Sequence, residues 1–387
     1  MMYSFIKTPE QRKLIEQIEA LKPSFRAREP ELDALGSFPF KDIEELKQID
    51  YHLLTLPKEN GGQGFGLYEY ILAQEAISEG SGSTGLSIGW HNGIVLEYAE
   101  NRHWNEQAGQ FLVEEIRKGA LINSLGTENN TGSPTRGGLP QTNAVADGDD
   151  LIINGEKTYA SLSPVLDYFL VSATTEEKEV EHIMIPRTAT GISIEQSWDS
   201  LAMRGTASDT VVFNNVRVPR INILKKNKPV EPVSKGWLLH IPACYIGIAA
   251  AARNYALEFA TSYVPVSLGK SIAEVPSISQ KIGDMELELS TARHLLYGTI
   301  ERYEAATDKT TFEESLDVTK IAVTSAAISI VNTAMEIVGS RALSESNPMH
   351  RYYLNVRAGL YNPPMNDVVI SKMANKAIQS MKKSTMK

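Results

Sequence analysis

The run Leu151-Ile-Ile-Asn-Gly-Glu-Lys-Thr-Tyr decides the architecture. It is short, rich in β-branched residues and interrupted by Asn-Gly, the composition of a strand and not of a helix. Tyr168-Phe-Leu-Val-Ser-Ala, His182-Ile-Met-Ile-Pro and Thr210-Val-Val-Phe-Asn-Asn-Val-Arg-Val-Pro share that character. Gly, Asn, Asp or Pro bounds each of them, and no helix-length pattern separates them. A doubly wound sheet needs a helix between successive strands, so an antiparallel barrel or sandwich is expected over residues 121–219.

On both sides of this block the period changes to that of helices. Upstream, Leu14, Ile15, Ile18 and Leu21 share one face, and Ile43, Leu46 and Ile49 repeat the pattern. The breaker Leu56-Pro-Lys-Glu-Asn-Gly-Gly-Gln-Gly-Phe-Gly then marks a loop, and helical patterns return over residues 67–77 and 103–118. Downstream, helices are expected over residues 237–263, 277–303, 316–338 and 367–381, long enough for a four-helix bundle. The fold class is therefore α+β. It has a helical domain over 1–120, a sheet domain over 121–219 and a helical bundle over 220–387.

Composition narrows the function. The 38 Lys and Arg against 47 Asp and Glu leave a formal charge of −9, which repels nucleic acid. The single cysteine, Cys244, excludes an intrachain disulfide and a thiolate zinc site, and it reads as a small buried hydrophobe. Residues 1–5 do not read as a signal peptide. Residues 319–338, the most apolar long stretch, carry Lys320 and Glu336, so a buried helix is expected and not a membrane span. These features together predict a cytoplasmic protein.

The motifs then fall in a recognisable order. Leu125-Gly-Thr-Glu-Asn-Asn-Thr-Gly-Ser, Asn154-Gly-Glu-Lys-Thr-Tyr, Leu201-Ala-Met-Arg-Gly-Thr-Ala-Ser, Glu336-Ile-Val-Gly-Ser and Arg351-Tyr-Tyr-Leu-Asn-Val-Arg follow one another across the chain. With the glycine loop at 56–66, they resemble the acyl-CoA dehydrogenase family over nearly the whole sequence. The resemblance implies a flavin, FAD ahead of FMN, held by Leu125, Gly126 and Thr127 and by Tyr159 and Ser161. The last two stand where the family usually has Trp and Thr. It places Ser133 near the thioester of an acyl-CoA substrate. It also implies a homodimer or homotetramer, with an electron-transfer flavoprotein or a flavin reductase as redox partner.

Other positions depart from the family. Its proton-abstracting carboxylate commonly lies in a Tyr-Glu-Gly-Thr motif. Here the segment reads Arg357-Ala-Gly-Leu-Tyr-Asn-Pro-Pro-Met-Asn-Asp, which places Pro363 or Asn362 at the base position. Neither accepts a proton as a general base. The alternative position, early in the first helix of the last domain, corresponds to Ala243-Cys-Tyr-Ile-Gly and also lacks a carboxylate. Glu97, Glu128 and Asp367 are the substitutes available nearby. The family's Arg for the FAD pyrophosphate is missing from Tyr263-Val-Pro-Val-Ser-Leu-Gly-Lys, which predicts a looser choice between FAD and FMN. Flavin monooxygenases on the same fold need no such base, and they carry histidines near His91 and Tyr361. Three functions therefore stay open: an acyl thioester dehydrogenase with a displaced base, a monooxygenase using His91, Tyr361 and Asn362, and a flavin or acyl-CoA binder without turnover.

Overall fold

The computed structural model describes residues 2–131, 138–224 and 235–385. Among these, the helices α1 (Pro9–Leu35), α2 (Phe40–Gln48), α3 (Leu67–Gly80), α4 (Gly82–Asn101) and α5 (Glu106–Arg117) come first. The strands follow as β1 (Ile122–Leu125), β2 (Asn143–Asp147), β3 (Asp150–Ala160), β4 (Tyr168–Thr175), β5 (Val180–Pro186), β6 (Ile192–Glu195) and β7 (Asp209–Pro219). The last helices are α6 (His240–Ser262), α7 (Pro276–Ala305), α8 (Glu313–Val338), α9 (Met349–Asn355) and α10 (Asn366–Thr385). The order helices, strands, helices is the one that the periodicity predicts.

α4 is the element that the sequence does not announce. Its first half, Gly82-Ser-Thr-Gly-Leu-Ser-Ile-Gly-Trp-His-Asn-Gly, has the composition of a loop. Gly85, Gly89 and Gly93 recur every four residues, so they fall on one face. A Cβ at Gly85 would sit 2.0 Å from the Ser78 hydroxyl, and one at Gly93 only 2.4 Å from the Trp237 ring. The glycines are there for close packing against α3 and the entry to α6, and tertiary contact overrides their poor helix propensity.

The strands form a curled sheet in the order β1-β4-β2-β3-β7-β6, with β5 on β4. The expectation of an antiparallel barrel needs amendment, because β4 pairs in parallel with both β1 and β2. Parallel neighbours need a connection of about a dozen residues or more. The long stretches from β1 and β2 to β4 provide it, whereas a reading built on hairpins misses it.

The last domain also differs from the expected bundle. α6, α7 and α8 pack together, but α3 of the first domain covers α6 on the remaining side. α10, expected as the fourth helix, lies largely in solvent, with Val369 buried and Ile370, Ile378 and Met381 exposed. Glu75 fastens the two helical domains: its carboxylate takes Arg293 Nε at 2.7 Å and the Tyr297 hydroxyl at 2.5 Å, all buried. Among the described residues, one stretch around α8, Lys309–Leu343, is long and apolar enough to cross a membrane, with a mean hydropathy of 1.6. Val323, Ala327, Ile330, Val331 and Ala334 of that stretch are buried in the protein core, as in the core helix of a globular protein.

Candidate flavin surface and active site

The loop after β1 and the end of β3 are fastened from within. Glu128 accepts from Lys157 Nζ at 2.6 Å and from the amides of Gln141 and Thr142 at 2.7 and 3.0 Å. Burial pushes its carboxyl upward, but the Lys157 ammonium and the two amides outweigh that and hold it at about 2. Both side chains are buried and ionised, so Glu128 braces the loop and is withdrawn as a candidate base.

This brace brings the expected flavin residues together. The Thr158 amide donates to the Thr127 carbonyl at 2.9 Å, and Asn123 Nδ2 donates to the Ser161 carbonyl at 2.9 Å. Leu125 and Ser161 are buried, Thr127 is half-buried, and Tyr159 is 62% exposed at a left-handed φ of 57°. Tyr159 lies edge-on to Trp198, with ring centroids 5.9 Å apart.

Behind Ser161 runs a chain of hydroxyls. Thr206 Oγ1 donates to the Met203 carbonyl at 3.0 Å and lies 2.8 Å from Ser208 Oγ, which lies 2.8 Å from Ser161 Oγ. With the Thr206 hydrogen committed, Ser208 donates to Thr206 and Ser161 to Ser208. Ser161 then presents a lone pair outward.

The surface also holds two buried polar atoms without partners among the described residues, Asn123 Oδ1 and Thr158 Oγ1. An acceptor and a hydroxyl beside an exposed aromatic ring suit a flat ring system edged with N–H and C=O groups, which is what a flavin presents. Asn123, Thr158, Thr206 and Ser208 are candidates added from the structure alone. The one signal in sequence is a polar Asn123 inside the apolar run Leu121-Ile-Asn-Ser-Leu.

The expected catalytic residues separate. The Tyr245 hydroxyl, on α6, donates to Asn362 Oδ1. The two segments searched for a carboxylate therefore meet in space, 117 residues apart, as a neutral Tyr–Asn pair. Gly359 lets the chain close over this corner, since a Cβ there would lie 2.8 Å from the Tyr245 ring. Tyr361 beside it is 73% exposed. Asn355 Oδ1 accepts the Met203 amide at 2.7 Å, which ties this end of the last domain to the loop that ends the hydroxyl chain.

His91 sits elsewhere in role. Its Nε2 is 2.9 Å from the His52 carbonyl and its Nδ1 accepts the Ile122 amide at 3.1 Å. Burial holds the imidazole at about 3, so His91 is a neutral clasp between α4 and β1 and leaves the catalytic set. Cys244 is buried, its thiol pushed up to about 12 by burial, which suits packing and not nucleophilic chemistry. Asp367 lies exposed in the first turn of α10. Ser133 lies outside the described residues.

Residues 263–270 hold no arginine, but one from another segment packs against their start. The Arg341 guanidinium lies 4.1 Å over the Tyr263 ring and 5.7 Å from that of Phe259. Ordering by motif could not find it, because it follows Gly339-Ser340 and reaches Tyr263 only in the fold.

Comparison with known proteins gives the family. The model of the acyl-CoA dehydrogenase N-terminal domain matches residues 8–119, that of the middle domain residues 124–216, and that of the C-terminal domain residues 239–361. The chain belongs to the acyl-CoA dehydrogenase family. It is 42% identical over 383 residues to "Putative acyl-CoA dehydrogenase YdbM" of Bacillus subtilis (strain 168), covering 98% of this chain and 100% of that one. Butyryl-CoA dehydrogenase from Megasphaera elsdenii superposes with a TM-score of 0.85 at 21% identity, over 96% of this chain and 99% of that one. FMN-bound TdsC from Paenibacillus sp. A11-2 gives 0.85 at 22% identity, over 95% and 98%. The protein is a flavin-dependent oxidoreductase of this family.

Proposed function

We propose that the protein oxidises the CH–CH group of an acyl thioester, with flavin on the surface of Leu125, Thr127, Tyr159 and Ser161. A bound flavin supplies the hydride-accepting ring. The protein's own part is to orient the thioester and to hold the proton without a carboxylate in the loop at 361–366. The observation that carries this reading is the intact ring surface, braced by the buried Glu128–Lys157 pair, in a chain 42% identical to YdbM over its full length.

FAD is the proposed form, with Arg341 over Tyr263 as the cation for its phosphates. Half-buried Ile321, Ile328 and Met335 of α8, with the exposed apolar stripe of α10, support assembly as a dimer or tetramer. The proposed redox partner is an electron-transfer flavoprotein.

The Tyr245–Asn362 pair favours a second reading, a reduced-flavin monooxygenase of a small molecule, because that chemistry needs no α-proton base. Mass analysis of products separates the two. Incubation with an electron acceptor and a panel of acyl-CoAs, without oxygen, is expected to give a product lighter by two hydrogens. A product heavier by one oxygen, formed only with a flavin reductase and air, would overturn the first reading in favour of the second.

A further inference from the structure

At the junction of α3, α4 and the start of α6 lies a histidine that the reading above does not use. His240 is fully buried, and its Nδ1 is 3.2 Å from the Tyr70 hydroxyl. That hydroxyl gives its own hydrogen to the Gly89 carbonyl at 2.5 Å, so from the imidazole it can only accept. The tautomer follows: Nδ1 carries the hydrogen, and Nε2 keeps a fixed lone pair. Nε2 is buried and has no partner among the described residues.

Two indoles enclose this ring. Trp90 stands perpendicular to it, with centroids 4.8 Å apart, and Trp237 lies 5.7 Å away. The indole N–H of Trp90 is also buried without a partner among the described residues, in a residue that as a whole is half-buried. Gly93 makes the box possible, because any Cβ there would strike Trp237. Buried polar atoms are nearly always paired, so an orphaned acceptor and an orphaned donor around one histidine call for a partner.

A group that donates and accepts at once is their complement: a hydroxyl or a primary carboxamide. We infer that this aromatic box receives the far end of the substrate, and that His240 Nε2 selects ligands carrying a hydroxyl or carboxamide there over plain hydrocarbon. Only the thioester portion of that substrate rests on the function proposed above; the box and its polar preference stand apart from it.

Two titrations of the flavin-loaded protein test this. In the first, 4-hydroxybutyryl-CoA is compared with butyryl-CoA by calorimetry. In the second, phenol is compared with fluorobenzene through the NMR shift of the Trp90 indole N–H. The hydroxylated member of each pair is expected to bind about tenfold tighter, the worth of one or two net hydrogen bonds. His240→Phe should abolish the difference while keeping a ring in the space. Trp90→Phe, which removes the donor together with part of the indole ring system, should reduce it about threefold. Flavin content reports whether each variant is folded.

Equal binding within the phenol pair, no binding of either member, or a preference that survives both substitutions would overturn the inference. His240 would then be a packed core residue. A phenol preference lost in His240→Phe, with no CoA ester bound, would uphold the box and reject the acyl thioester reading.

Discussion

The strand surface and the Tyr245–Asn362 corner have diverged to different degrees. On the strand side, Leu125, Thr127, Tyr159 and Ser161 lie on adjoining segments, and the replacements keep their chemistry. Tyr159 is still an aromatic ring, Ser161 still a hydroxyl, and Glu128 and Lys157 form a buried pair within one ring of amide donors. At the corner, both positions that could offer a carboxylate are neutral and bonded to each other. Under the proposed function the contrast locates the change in this molecule: the cofactor platform is retained, and the handling of the proton is altered.

Breaking the platform should have the largest effect. Lys157→Met leaves Glu128 ionised and buried without its cation, a loss of about 3–5 kcal/mol. Thermal melting of the apoprotein should show it, and flavin should no longer be retained on gel filtration. Unchanged melting would mean that the amides of Gln141 and Thr142 suffice to hold the loop.

Acid should separate the two regions. Burial depresses His52 to about 4 and His91 and His240 to about 3, against an ordinary 6.5, and all three lie in the helical domains. At these three sites the folded form therefore binds fewer protons than the unfolded one. Their contribution to stability is complete above pH 6.5 and is lost as pH falls through the window from 6.5 towards 3, offset in part by Glu29 and Asp317, which burial raises to about 7 and about 6. The loss is about 1.4 kcal/mol per pH unit for each histidine. Glu128, held at about 2, should keep the strand surface intact to lower pH. Hydrogen exchange at pH 5 should show α3 and α4 opening before β3 and β7. Simultaneous opening would count against independent bracing.

Much of this contrast was legible in the sequence. The strand block was readable because its β-branched runs lie between turn residues, and the residues proposed for the flavin could be named because they sit in or beside that block. α4 was hidden, since a glycine stripe for helix packing has the composition of a loop. The parallel pairings of β4 were hidden because strand alternation says nothing about which strands become neighbours. His91 looked catalytic because flavin monooxygenases on this fold carry a histidine nearby, and only the positions of the His52 carbonyl and the Ile122 amide reveal a clasp. Arg341, Tyr245 and His240 all depend on contacts between distant segments, which no local pattern carries.

Smaller effects sharpen the comparison further. Arg341→Ala should weaken FAD about tenfold and leave FMN unchanged, the worth of one charge-assisted contact to phosphate. Equal losses for both flavins would place Arg341 away from the phosphates. Tyr245→Phe removes the hydroxyl that holds Asn362 and should cost about 1 kcal/mol in denaturant melts, with flavin affinity unchanged. A drop in flavin affinity would show that the corner and the platform are coupled.

The central claim, a retained platform without the usual base, is tested most directly by stopped-flow mixing of the oxidised, flavin-loaded protein with butyryl-CoA in the absence of oxygen. Enzymes commonly turn over near 10 s⁻¹, roughly, and a missing base forfeits about 10²–10⁴-fold. The flavin should therefore bleach at about 0.1 s⁻¹ or slower. Bleaching at about 10 s⁻¹ would contradict the account, because it would require a carboxylate-grade base at this site and return the protein to ordinary dehydrogenase chemistry.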